Sequence, residues 1–266
     1  MRIFRIKPAA ESRWQAGVAA LEADARYPLG SDTFKLDHGA DYFAFFRRLG
    51  DLHYYAAERG GEIVAVGAGM IRRVPFRSGG RPKRTWYLGD LKVRPDHRGS
   101  HIPLRMLTRA FPHNYLRCPR GYAITMNPAN GPNRIVKLIG RFRWARSSVG
   151  CQLNLYSMDA GQMASHRGLV ERHRGPISFL SLEGKKDLIL ESTQRRMPLL
   201  HVQFGPCAEA GGRDPIGGSV HMFCVPEGDG LALELAAAGV IPSATATVIQ
   251  HRMDDCDWRF VLTSDI

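Results

Sequence analysis

Hydrophobic spacing divides the chain into a regular series of elements. Arg2–Lys7 alternates in a short β pattern that Pro8 stops, because proline donates nothing to a ladder. Over Ala9–Arg26, Trp14, Val18, Leu21 and Ala25 fall on one face, which predicts a helix. Tyr27–Leu36 reads as a loop, and Ala40–Leu49 predicts an aromatic-rich helix ending at Gly50. Leu52–Arg59 and Glu62–Val74 read as a hairpin turning at Gly60-Gly61. Phe76–Lys83 is a basic loop and Arg84–Arg94 the next strand. A polar turn, Asp96–Ser100, feeds a helix that runs to about Leu116, with Ile102, Leu104, Met106 and Leu107 at helical spacing. Gly121–Met126 then predicts a strand, Asn127–Gly131 a turn, and Pro132–Phe142 a helix with Pro132 in its first turn. Trp144–Met158 carries one or two strands.

The remainder is less regular. Asp159–Arg174 reads as a polar linker helix, and strand-like runs appear at Asp187–Glu191, Leu199–Phe204, Ser219–Val225, Ala244–Met253 and Trp258–Thr263. Gly230–Ala238 is the clear helix here, ended by Gly239, and Cys207–Gly218 reads as an exposed loop. An internal echo links Ile124–Pro128, a helix and Phe142 with Met222–Pro226, a helix and Val240. We expect two domains, 1–158 and 159–266, the second α+β and a candidate degenerate copy of part of the first.

Composition narrows the partners. With 44% apolar and 23% charged residues the chain is able to bury a core. Lys+Arg 37 against Asp+Glu 25 gives +12, which favours anionic partners such as a phosphorylated cofactor or an acidic carrier protein. The basic residues come as singles and pairs, without a nucleic-acid signature. Five cysteines without a C-x-x-C pair suit reduced thiols in a cytoplasmic protein, and no apolar run reaches the ~20 residues of a membrane span.

The chemistry concentrates in Tyr87–Leu107, a strand, turn and helix. A turn that feeds a helix N-terminus presents unpaired N–H groups and the positive end of the dipole, a ready seat for a diphosphate. Val93, Pro95, Arg98 and Gly99 with the helix after them resemble the central motif of the GNAT superfamily of N-acyltransferases, although His101 and Pro103 stand where that family has glycines. The predicted order β-α-α-β-β-β-α-β-α-β over 1–158 is similar to the family's layout, an α/β fold around a mixed sheet.

The resemblance implies acyl transfer, in the first instance acetyl, from coenzyme A to a small-molecule or peptide amine. It implies that Leu91, Lys92 and Val93 line the pantetheine arm of acetyl-CoA or another acyl-CoA. Arg98, Gly99, Ser100, His101 and Ile102 would hold the diphosphate. Asp90 is the candidate base, with pairing to Lys92 as the alternative. Strand alternation puts Asp90 on the face of Leu88 and Lys92. Asn130 matches the asparagine that often opens the following helix, and it also fits a plain turn residue. The family's usual tyrosine acid is missing from Pro132–Phe142, where Lys137 takes its place. Trp86, Tyr87, Tyr54 and Tyr55 are candidates to shape an acceptor cleft. The alternatives are an acyl carrier protein as donor, or a non-catalytic protein that binds a ligand or partner on this fold.

Overall fold

Thirteen strands and six α-helices are present in the computed structural model, which describes residues 1–29, 31–76, 80–128, 130–140, 146–205, 208 and 214–266. In chain order they are β1 (Arg2–Ile6), α1 (Glu11–Ala23), β2 (Tyr27–Leu29), β3 (Asp32–Asp37), α2 (Ala44–Leu49), β4 (Asp51–Arg59), β5 (Glu62–Val74) and β6 (Lys83–Val93). Next come α3 (Ile102–Arg117), β7 (Gly121–Met126), α4 (Arg134–Gly140), β8 (Ser147–Met158), α5 (Ala160–Arg174) and β9 (Ile177–Ser181). The chain ends with β10 (Asp187–Leu190), β11 (Leu199–Phe204), β12 (Val220–Pro226), α6 (Gly230–Ala237) and β13 (Ala244–His251).

Ten strands form one mixed sheet in the order β1-β4-β5-β6-β7-β13-β8-β12-β11-β9. β6 is parallel to β7 and β11 parallel to β12; the other neighbours are antiparallel. The sheet is therefore continuous across Met158. β13, from the end of the chain, lies between β7 and β8 and pairs with both. The arrangement repeats about the β13–β8 seam. β7 and β8 are joined through α4 with β13 between them, while β12 and β13 are joined through α6 with β8 between them. The two segments of the sequence echo occupy these matching positions.

Three layers of side chains cover the sheet. Against one face, Val18 and Leu21 of α1 and Phe45, Phe46 and Leu49 of α2 pack on Tyr54, Val66 and Met70. On the other face Ile102, Met106 and Ala110 of α3 bury against Tyr55, Ala65 and Trp86. Near the far edge, Met163 and Val170 of α5 and Leu231 and Leu235 of α6 close over Tyr156, Phe223 and Val225. Each such buried side chain contributes roughly 1.5–3 kcal/mol. The α5 start is fixed by a reciprocal cap in which Asp159 accepts from the Gln162 N–H and the Gln162 side chain accepts from the Asp159 N–H.

Some expectations are corrected. Part of the expected loop Tyr27–Leu36 forms β2 and β3, because β10 supplies a partner for β3: Leu36 stands opposite Leu188 and Phe34 opposite Leu190. No local pattern announces that partner 150 residues away. Trp258–Thr263 is not a strand but includes a 3₁₀ turn, Trp258–Phe260, followed by another at Thr263–Asp265. Ile177–Ser181, left unassigned by spacing, is an edge strand. The loop expected at Cys207–Gly218 and the Phe142 end of the α4 region fall partly outside the described residues.

The two parts of the chain are tied twice, through β13 between β7 and β8 and through β10 beside β3. A fragment of residues 1–158 would leave β7 and β8 without the strand that joins them. It is expected to lack a cooperative thermal transition and to aggregate through those open edges. Calorimetry and light scattering check this; a monomeric fragment with a sharp transition would contradict it.

Candidate active site

β6 and β7 pair over only three positions, Trp86–Gly121, Tyr87–Tyr122 and Leu88–Ala123, and then diverge. The strand interior explains the parting. Val66 stands opposite Lys92 and Ala68 opposite Gly89, so β6 carries one residue more than β5 across this stretch. The extra residue is a bulge, and Asp90 takes its left-handed conformation with φ 52. Between the diverging strands opens a cleft of ≈ 1060 Å³, walled by Gly89–Lys92 on one side and by Thr125, Met126 and Asn127 on the other. Past Leu88, β6 has no ladder to β7, so its main-chain groups on that side face the cleft.

The bulge also corrects the strand parity. Leu88 and Val93 pack with the α3 side, whereas Asp90 and Lys92 turn to the α1 and α2 side. One inserted residue reverses the alternation beyond it. Leu91 is left 46% exposed at the cleft.

At the end of β6 the chain makes the expected turn. Gly99 has φ 85 and His101 φ 55, so two left-handed residues set up the start of α3, with Pro103 in its first turn. The Arg98 N–H donates to the Pro95 carbonyl at 3.3 Å, and the helix ladder opens with the Arg105 N–H to the His101 carbonyl at 3.1 Å. Arg98, Gly99, Ser100 and His101 are exposed, while the Ile102 side chain is buried under Met106. These residues and Val93 do not line the cleft; Pro103 and Leu104, immediately after them, do. A main chain in left-handed conformation at His101 supplies the turn that glycine supplies elsewhere, at a cost of about 1–2 kcal/mol.

Facing the α1 and α2 side is a buried charged cluster. Asp90 accepts from Tyr42 at 3.0 Å, from Tyr54 and from Lys92, so both of its oxygens are occupied. Lys92 Nζ also lies 2.5 Å from Glu22 Oε2. Tyr42 and Tyr27 approach the two oxygens of Glu22 at 3.1 and 3.2 Å. Burial works against the charge on Glu22, but His38 and Lys92 outweigh it and hold the carboxyl down to about 2. Burial likewise disfavours the Lys92 ammonium, and Glu22 opposes that. With Lys92 charged, the two carboxylates leave this cluster one negative charge in excess. Asp90, Lys92 and His38 all line the cleft.

His38 is the further member. Its Nδ1 lies 3.0 Å from the Lys185 carbonyl, which as an acceptor places a hydrogen on Nδ1. Nε2 is buried, has no hydrogen-bond partner, and stands 3.6 Å from Glu22 Oε2. Sequence reasoning missed Glu22, His38 and Tyr42. Glu22 had a signal: it follows Val18 by four, on the buried face of α1, where a charge calls for a partner. His38 and Tyr42 had none, because their partners come from α1, β6 and the segment before β10.

Asn130 lines the cleft, but the cap of α4 is Asn133, whose side chain accepts from the Ile135 N–H at 3.0 Å. Lys137 is on the cleft wall. Trp86, Tyr87 and Tyr55 also line it, whereas Tyr54 is taken up by Asp90. Among the described residues no group of three metal-ligating side chains occurs, and no helix is long and apolar enough to cross a membrane.

Residues 18–129 match the family model described as Acetyltransferase (GNAT) family. This stretch is a GNAT acetyltransferase segment. It holds Glu22, His38, Tyr42, Asp90, Lys92 and all of α3, and the general chemistry of such a segment is acyl transfer. Over 232 residues the chain is 21% identical to an uncharacterized protein of Acanthamoeba polyphaga mimivirus, covering 85% of this chain and 68% of that one. A conserved protein of unknown function from Enterococcus faecalis superposes with TM-score 0.47 at 10% identity, over 96% of this chain and 73% of its own. The aminoglycoside 6'-N-acetyltransferase of Acinetobacter haemolyticus gives 0.36 at 17%, over 53% and 88%. An acetyltransferase from Vibrio fischeri gives 0.34 at 11%, over 46% and 94%.

The GNAT segment's buried cluster has a measurable signature. Because the folded state lowers the Glu22 pKa, its ionised form stabilises the fold fully above pH ~4.5 and that gain is lost as pH falls through about 2. Glu22→Gln, which removes the carboxylate that His38 and Lys92 stabilise and leaves Lys92 with Asp90 alone, is expected to be less stable than wild type by about 3 kcal/mol at pH 7. Urea titrations should show the gap narrowing as pH falls from ~4.5 to ~2; a gap independent of pH would contradict the assignment.

Proposed function

We propose that the protein transfers an acyl group, acetyl in the first instance, from coenzyme A to an amine by direct attack on the thioester. The observation that carries this reading is the parting of β6 from β7 after Leu88, which opens a ≈ 1060 Å³ cleft whose wall runs into the start of α3. A pantetheine arm laid there takes the place of the missing ladder partner along Gly89–Lys92. Its diphosphate reaches the main chain of Arg98–Ile102, where helix dipole and free N–H groups favour it. Pro103 removes one donor, and the exposed Arg98 and Arg105 offer charge in compensation.

The amine arrives as an ammonium and has to lose a proton before attack. In our reading His38 Nε2 takes it, and Glu22, 3.6 Å away, stabilises the imidazolium that results. Asp90 acts electrostatically: closed off by Tyr42, Tyr54 and Lys92, it keeps the cleft negative where the cation docks. Asn130 and Lys137 stand on the opposite wall, toward the leaving thiolate.

An acyl carrier protein is the second reading for the donor. Arg98, Arg105 and Arg109 are exposed around the first turns of α3, a basic margin suited to an acidic carrier that threads its phosphopantetheine arm into the same cleft.

Titration calorimetry with acetyl-CoA and longer acyl-CoAs is expected to show binding; silence with all of them overturns the coenzyme reading. With a panel of amines, thiol release should fall about a hundredfold in His38→Gln, and less in Asp90→Asn. If the carrier is the true donor, its acyl form outpaces acyl-CoA and salt erases the advantage. Binding without turnover on any amine would leave a ligand-binding protein.

A further inference from the structure

A small second chamber of ≈ 90 Å³ adjoins the cleft and shares Tyr27, Leu36, Met126 and Lys186 with it. Its walls are largely apolar, from Leu29 and Phe34 to Leu188, Met222 and Ile266; the polar side chains on them are Tyr27, Thr263 and two basic groups. Both come from the part of the chain outside the GNAT segment.

Lys186 precedes β10 and is 8% exposed. Among the described residues no carboxylate reaches its Nζ within the 4.0 Å of an ion pair, and the amine sits 4.8 Å over the Phe45 ring. The charged groups around it are Arg48 of α2, Asp265, Glu22 of α1 and Lys92 of β6. None of the carboxylates among them forms an ion pair with Lys186. Burial accordingly pushes the ammonium down to about 7, with Arg48 adding to the effect.

His201 of β11 is 2% exposed. Its Nδ1 lies 3.0 Å from Thr263 Oγ1, whose own hydrogen goes to the Met222 carbonyl at 3.0 Å. The hydroxyl thus accepts, Nδ1 carries the hydrogen, and Nε2 keeps a lone pair. That nitrogen is buried without a partner. Lys186 and Arg48 are the charged groups that face the ring, and with burial they keep it uncharged.

We propose that this chamber receives the carboxylate of the acceptor, and that the acceptor is an α-amino acid, its amine directed to His38 and its acid group to Lys186. Two basic groups without an ion pair to a carboxylate among the described residues, enclosed by largely apolar walls, form a seat for an acidic group that enters with a proton. The uptake converts Lys186 to an ammonium opposite the carboxylate, and the His201 lone pair favours the added proton. Position supports the pairing of the two ends. The Lys185 carbonyl that orients His38 belongs to the residue directly before Lys186, so the anion site and the base are fixed by one stretch of backbone. The negative cluster of Asp90, Glu22 and Lys92 and the unpaired Lys186 both border one cleft, matching an ammonium and a carboxylate on one small molecule.

The inference depends on the acyl-transfer reading only for the fate of the amine, and binding is measured without any acyl donor. Titration calorimetry of the full chain with the standard α-amino acids is expected to find at least one binder of millimolar affinity or better. The amide of each binder, which lacks the anion, should bind at least about tenfold more weakly. Titrations at pH 7 in two buffers of different ionisation enthalpy should show uptake of about half a proton with the acid, since Lys186 is about half ionised there, and none with the amide. Lys186→Met should abolish both the preference and the uptake; if that variant does not fold, the wild-type uptake still decides. No amino acid binding, amides bound as well as acids, or a preference surviving in Lys186→Met each overturns the proposal. Amino-acid binding without thiol release from any acyl-CoA would overturn the acyl-transfer reading and leave this one standing. Thiol release with amino-acid amides but not with the acids would do the reverse.

Discussion

The early end of the β6–β7 ladder is the constraint on which the site depends. A parallel pair joined by a helix would ordinarily stay closed to the ends of both strands. Here the bulge at Asp90 bends β6 away and costs a left-handed residue, which persists because the Asp90 side chain is anchored by Tyr42, Tyr54 and Lys92. The same irregularity does two things. It bares the main chain of Gly89–Lys92 to the cleft, and it swings Asp90 and Lys92 to the side where Glu22 and His38 wait. Opening and electrostatics are therefore one feature.

The second constraint is the exchange of strands. Because β13 lies between β7 and β8, and β10 lies beside β3, the residues after Met158 are wall and support for the cleft rather than an appendage. Tyr87 donates to the Asp265 carbonyl at 2.8 Å, and Arg72 meets the Asp265 carboxylate at 2.9 Å, so the end of the described chain braces the floor of the sheet. Lys185 orients His38, and Lys186 and His201 furnish the side chamber. The GNAT segment thus provides β6, α3 and the wall between them, and the remainder shapes what stands opposite.

Much of the fold was legible from spacing. The helix of Ala9–Arg26, the hairpin at Gly60-Gly61, the strand-turn-helix from Tyr87 and the α5 start at Asp159 follow from local periodicity and local turn or cap residues, which act within a few positions. What was not legible required a partner distant in sequence. β2 and β3 form because β10 comes back to them, and Trp258–Thr263 stays out of the sheet because β7 and β8 already flank β13. The parity error at Leu88 has the same origin, since a bulge is visible only against the strand it faces.

For the site, the amino-acid sequence alone determined the motif from Val93 to Gly99, the helix it feeds, and the presence of Asp90 beside Lys92, because these are neighbours along the chain. The tertiary structure decided the rest. It occupied both oxygens of Asp90, gathered Glu22, His38 and Tyr42 around Lys92, and put the buried Lys186 at the cleft, where no described carboxylate forms an ion pair with it. Charge in a low-dielectric interior is governed by distances in space, and those distances are set by how the sheet closes, not by spacing along the chain.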